Sequence, residues 1–226
     1  MKTIFKVICI FSLLLSNSQA EKKSAKDSAG FIRLVNAVAA GTGPVRLEID
    51  GEDMRPKGYD LGDATGGIGL SSGSRKVSIK RNGVEEGVTT VNLLKDQTVT
   101  LIPFAEKVPA SDTKPAHYVI KILRLKQTTP DSGRTATFVS VSANPELKVE
   151  IAGEGSKWES AFVKRLTLSQ LPLSLTGGYA PVKVNNERLE SIPIDGEGNY
   201  VIVIYDDSEG RIQSLCFSDL KFLSAD

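Results

Sequence analysis

The chain of 226 residues contains one histidine, two cysteines and one tryptophan. Each scarcity excludes a class of chemistry. A structural zinc site takes about four Cys/His-type ligands and a catalytic one about three, so neither is expected. A Ser-His-Asp triad would have to be built on His117, which opens the alternating run His-Tyr-Val-Ile-Lys-Ile. No Gly-x-Ser-x-Gly elbow accompanies it, and His117 reads as a strand-edge or packing residue. Thr65-Gly-Gly-Ile-Gly69 lacks the Lys-Ser/Thr of a phosphate-binding loop. Apolar runs are short, and none reaches the length of about 18 residues that a membrane helix needs. Helical periodicity is missing as well; Asp219 to Asp226 has room for one C-terminal helical turn at most. Charge is balanced, with 28 basic and 27 acidic residues, so nucleic acid, which calls for a basic patch or stripe, is not an expected partner.

What is present begins with an export pattern. Lys2 and Lys6 form a positive start, Val7 to Leu15 an apolar stretch, and Ser18-Gln19-Ala20 a small-x-small cleavage site. Residues 1–20 are therefore expected to act as a signal peptide, with no membrane insertion after cleavage. Residues 21–29 follow as a polar leader. Cleavage would remove Cys9 and leave Cys216 alone in an apolar setting, a structural thiol with no disulfide partner. The expected location is periplasmic or extracellular.

From Phe31 onward the chain reads as short β-prone runs separated by Gly/Asx turns. Val45-Arg-Leu-Glu-Ile49 alternates apolar and polar residues before Asp50-Gly51, and Val77 to Val84 turns through Asn82-Gly83. These are hairpin signals, because glycine accepts positive φ. The pattern then recurs. Val45 to Gly51 returns as Leu147 to Gly153 at an offset of 102. Leu70 to Ile79 returns as Leu175 to Val184 at 105, and Thr98 to Ile102 as Tyr200 to Ile204 at 102. A period of about 100 residues is domain-sized. The expectation is two tandem antiparallel β-sandwich, Ig-like domains from an internal duplication: residues 30–126 and 134–226, joined by a linker at 127–133.

Phe31-Ile-Arg-Leu-Val-Asn36-Ala, the Val45 to Gly51 hairpin, Gly62-Asp63-Ala64 and the Leu70 to Ile79 segment resemble a secreted bacterial family of tandem β-sandwiches of unknown function. In plan the chain also resembles the periplasmic accessory proteins of alginate O-acetylation. The second copy departs from the first: Ser140 stands where Asn36 would fall, and no Gly-Asp-Ala follows its hairpin. Neither resemblance implies a catalytic residue.

Asn36, Asp63 and Trp158 are the candidate binding residues, Trp158 because it sits in the polar stretch Gly153 to Glu159. Two acidic turns, Asp195-Gly-Glu-Gly-Asn199 and Asp206-Asp-Ser-Glu-Gly210, could offer oxygen ligands to calcium. They flank one strand at opposite ends and read as ordinary turns. No cofactor is expected. The sequence points to a non-enzymatic accessory or binding protein that engages a protein complex or a polysaccharide of the cell envelope. The alternatives are a structural or adhesive module and a hydrolase using paired carboxylates.

Overall fold

A computed structural model describes residues 29–128, 134–196, 198–219 and 222–225. The expected signal peptide, most of the expected leader and residues 129–133 lie outside the described residues. The chain is all-β, with several sheets.

The N-terminal half contributes β1 (Ala29–Leu34), β2 (Thr42–Ile49), β3 (Glu52–Asp53) and β4 (Ile68–Ser71). β5 (Gly73–Asn82), β6 (Val84–Leu93), β7 (Thr98–Val108) and β8 (His117–Thr128) complete it. Both hairpin signals are realised. Asp50 and Gly51 take φ of 53° and 89° between β2 and β3, the pair of positive values that a type I′ turn requires. Gly83, at φ 79°, turns β5 into β6. The order β3-β2-β5-β6-β8-β7-β1-β4 forms a sheet that curls into a half-barrel. Its inner face buries Ile32, Leu34, Leu47, Ile79, Leu93 and Leu101.

The C-terminal half contributes β9 (Thr135–Ser140), β10 (Glu146–Ala152), a 3₁₀ turn at Glu154–Ser156, β11 (Trp158–Lys164) and β12 (Leu168–Pro172). Then come β13 (Gly178–Ala180), β14 (Val182–Val184), β15 (Glu187–Arg188) and β16 (Ile192–Ile194). β17 (Asn199–Asp206) and β18 (Ile212–Asp219) close this half. Its main sheets have the orders β11-β10-β14-β15 and β12-β9-β17-β18, with β13 and β16 as a separate pair. Phe138, Leu147, Ile151 and Ile202 fill the space between them.

Two expectations need correction. Trp158, read as a loop residue, is the first residue of β11 and pairs with Ala152. Where the sequence left room for one helical turn, Phe222–Ala225 is a strand, β19, antiparallel to β8 at Leu125–Thr128. β8 thus continues through Gln127 and Thr128, which the sequence placed in a linker.

The halves share a core. In β17, Tyr200, Ile202 and Ile204 face the interior of their own half. Val201, Val203 and Tyr205 face the other way, into a cluster with Val35, Ile102, Phe104 and Leu125 of the N-terminal half. β9, β17 and the first half of β7 are therefore buried on both faces, which explains why β17 is a near-continuous apolar run, whereas β1 alternates. Polar pairs mark the ends of this seam. At one end Arg33 is ion-paired with Asp219, and Gln127 Nε2 donates to both Asp219 oxygens at 3.0 Å. At the other, Arg165 pairs with Glu106.

Candidate functional site

The sequence-derived candidates do not converge. Asn36 is fully buried. Its Nδ2 donates to the carbonyls of Tyr59 at 3.1 Å and Asp60 at 2.9 Å, and its Oδ1 accepts from Val38 N–H at 3.0 Å. Every polar atom of the amide is spent inside the protein, where it pins the 59–63 loop to the end of β1. Asp63 lies in that loop. Its carboxylate accepts from Asp60 N–H at 3.0 Å and faces Arg55 at 3.5 Å. Arg55 in turn covers Tyr59, 5.4 Å from the ring centroid. Asn36 and Asp63 belong to one structural staple. Trp158 stands in the other half.

Trp158 has solvent-facing neighbours. Gly153 closes the β10 strand so tightly that a Cβ there would meet Ser174 Oγ at 2.1 Å, and Ser174 Oγ accepts from Glu154 N–H at 3.0 Å. This turn delivers Trp158 to the start of β11, where it is 36% exposed. Strand side chains alternate, so Phe162 shares its face and is 64% exposed. Along β13 and β14, Ala180, Val182 and Val184 point into the core. Tyr179, Pro181 and Lys183 therefore point outward with the β11 aromatics, and Tyr179 is 72% exposed. Lys183 Nζ lies 4.0 Å from the Trp158 ring centroid, within cation–π range. At about 3.4 Å per residue along a strand, Trp158 and Phe162 stand about 14 Å apart, and Tyr179 extends the row into an arc from β13, which leads into β14. A hollow of about 430 Å³ opens beside Tyr179, walled by Pro181 and the Gly153–Ser156 turn.

The sequence missed Phe162 and Tyr179 as partners of Trp158. The available signal was the spacing Trp158-x-Ser160-x-Phe162, which puts both rings on one strand face.

Other chemically active groups are engaged internally. Asp207 Oδ1 accepts from the N–H groups of Glu209 and Arg211. Arg211 backbone and side chain hold its carboxyl below the usual range. Asp206 accepts from Ser142 Oγ at 2.7 Å and Ala143 N–H at 2.6 Å. Asp195 accepts from the Tyr200 hydroxyl at 3.2 Å, and Asn199 from Thr137 Oγ1 at 2.6 Å. The carboxylates of Asp195, Asp206 and Asp207 are thus each engaged by protein donors. Among the described residues no group of three or more His, Cys, Asp or Glu is placed to hold a metal ion. His117 Nε2 faces Glu85 at 3.5 Å on the surface. Burial pushes the Cys216 thiol up to about 12, with Asp195 adding to the shift, which removes it as a nucleophile. A cleft of about 270 Å³ at the seam between the halves is lined by Phe104, Tyr118 and Val141. Its Glu106 and Arg165 neutralise each other, and its volume falls just below the usual range of ligand pockets, about 300–1,000 Å³.

No protein-family model matches the chain, and no curated protein matches it. Among solved structures it is similar to the Bacillus anthracis TIE protein at 12% identity and a TM-score of 0.26, over 80% of this chain and 51% of that one. The chain thus spans about half the length of that protein.

Proposed function

We propose that the protein is an exported, non-catalytic binding or accessory protein of the cell envelope. Its contact surface is the outer face of β11, β10, β13 and β14. The observation that carries this reading is the exposure of Trp158 and Phe162 on the outer face of β11, with Tyr179 exposed on β13 beside that sheet. Exposed large side chains of the N-terminal half, Leu61, Val88 and Leu94, are aliphatic and lie on separate elements. Clustered aromatics with a neighbouring cation are the composition of binding hot spots. Export rests on the pattern of residues 1–20. The partner is a protein complex or a polysaccharide, and the resemblance to exopolysaccharide-modification accessory proteins favours a place beside such machinery.

We further propose that the halves are tandem Ig-like sandwiches descended from one duplicated unit. The orders β3-β2-β5-β6 and β8-β7-β1-β4 correspond position by position to β11-β10-β14-β15 and β18-β17-β9-β12. The three recurring sequence blocks fall on β2 and β10, on β5 and β13–β14, and on β7 and β17. A spacer role is the second reading, favoured by the shared core that fixes one half against the other.

The test is retention of material from the native envelope by the purified protein. Trp158→Ala with Phe162→Ala is expected to lower retention at least about tenfold, as loss of a hot spot does. Val88→Ala with Leu94→Ala is expected to leave it unchanged. Equal retention by all three proteins would move the contact surface elsewhere.

A further inference from the structure

The outer face just described carries more positive than negative charge, whereas its counterpart in the N-terminal half is balanced. Beside the aromatic rings stand Lys148 on β10, Lys164 on β11, Lys183 on β14 and Arg188 on β15. Strand register places only Glu146 and Glu150 with them, opposite Lys164 and Lys183. Glu150 is shared with Lys148, whose Nζ lies at 3.1 Å. Four cations against two carboxylates leave a surplus of two. On the equivalent face of β2, β3, β5 and β6, three cations, Arg46, Lys76 and Lys80, stand with three carboxylates, Glu48, Asp53 and Glu86. Lys80 is bound to Glu48 at 2.6 Å and Arg46 lies 3.6 Å from Asp53. That face has no aromatic residue on its strands.

We infer that the β10–β11–β14 face binds an acidic, unbranched polysaccharide lying across the Phe162–Trp158–Tyr179 arc. This rests on the binding role proposed above and names the class of ligand. Sugar rings stack their apolar faces on the aromatic rings, and their carboxylates meet Lys183 and its neighbours. Lys183 is already fixed over Trp158, so little side-chain freedom is lost when a carboxylate arrives. Ser160 and Ala152, small residues beside Trp158 in register, leave the floor between the rings low enough for a chain to pass. A surplus of two cations attracts an anionic chain and is sparse for a nucleic acid duplex, with one charge per about 1.7 Å.

Trp158 is the only tryptophan in the chain, so its fluorescence reports this face alone. The full protein is titrated with polygalacturonate, with the same polymer after reduction of its carboxyls, and with poly(dT). Polygalacturonate is expected to shift the emission saturably and to weaken at least about tenfold between low and high salt, since the attraction is charge-based. The reduced polymer is expected to bind at least about tenfold more weakly, and Lys183→Gln or Phe162→Ala each about fivefold more weakly. Lys80→Gln, on the equivalent N-terminal face, is the folded control expected to leave affinity unchanged. Equal binding of the reduced polymer overturns the charge argument, and tighter binding of poly(dT) assigns the face to nucleic acid. No binding of polygalacturonate overturns the inference. If Trp158→Ala with Phe162→Ala then still abolishes envelope retention, the broader binding reading survives; if retention is untouched, both fail.

Discussion

Asn36 shows how one residue can read as functional in sequence and structural in space. An asparagine in an otherwise apolar strand, Arg-Leu-Val-Asn-Ala-Val, stands out as a polar exception worth a role. Its role is to hold the 59–63 loop through the carbonyls of Tyr59 and Asp60 while accepting from the Val38 N–H. A lost partner for a buried polar group costs about 1–3 kcal/mol. Asn36→Ala is therefore expected to destabilise the protein by at least about 2 kcal/mol in urea unfolding while leaving ligand affinity unchanged. Asp63→Asn, at a partly exposed ion pair worth about 0–1 kcal/mol, should be nearly silent. Trp158 shows the reverse. Its neighbourhood of Gly, Ser, Lys and Glu looked like a loop, yet the ring begins a strand and heads the exposed arc. Tyr179 was not legible as its partner, because that juxtaposition depends on β10 pairing with both β11 and β14.

Strands were legible where alternation or turn chemistry was strong. The Asp50-Gly51 and Asn82-Gly83 hairpins follow from which residues tolerate positive φ. Tyr200-Val-Ile-Val-Ile-Tyr205 carries a further signal. An unbroken apolar run signals a strand covered on both faces, and both β17 faces are buried. β19 carried no such signal, since its existence depends on the exposed edge of β8 and not on its own composition. The two-faced strands have an energetic consequence. Ile102 faces the seam between the halves, and Ile202 faces the core of one half. Both are completely buried. Ile102→Ala is expected to cost about 2–5 kcal/mol, as Ile202→Ala does. In two independent domains Ile102 would lie on a surface and its loss would cost within about 0.5 kcal/mol. Urea titrations of the two variants separate these cases.

At the scale of the molecule, β7, β8 and the segment after β1 pack against β9, β12, β17 and β18, while β2, β5 and β6 of the same curled sheet and the β11-β10-β14-β15 sheet lie outside them. The inner sheets are committed to each other, so what this protein offers a partner must come from the outer faces. One of these is neutralised by its own ion pairs. The other carries the aromatic arc and the surplus cations. The duplication proposed above predicts two similar outer faces; Trp158 and Phe162, which set the second apart, lie between the recurring blocks. The most direct test of this assignment is hydrogen–deuterium exchange on the full protein, with and without saturating envelope polysaccharide. Protection confined to residues 146–164 and 178–188 is the predicted result. Protection of β2, β5 and β6, or of the 206–210 turn at the seam, would contradict it.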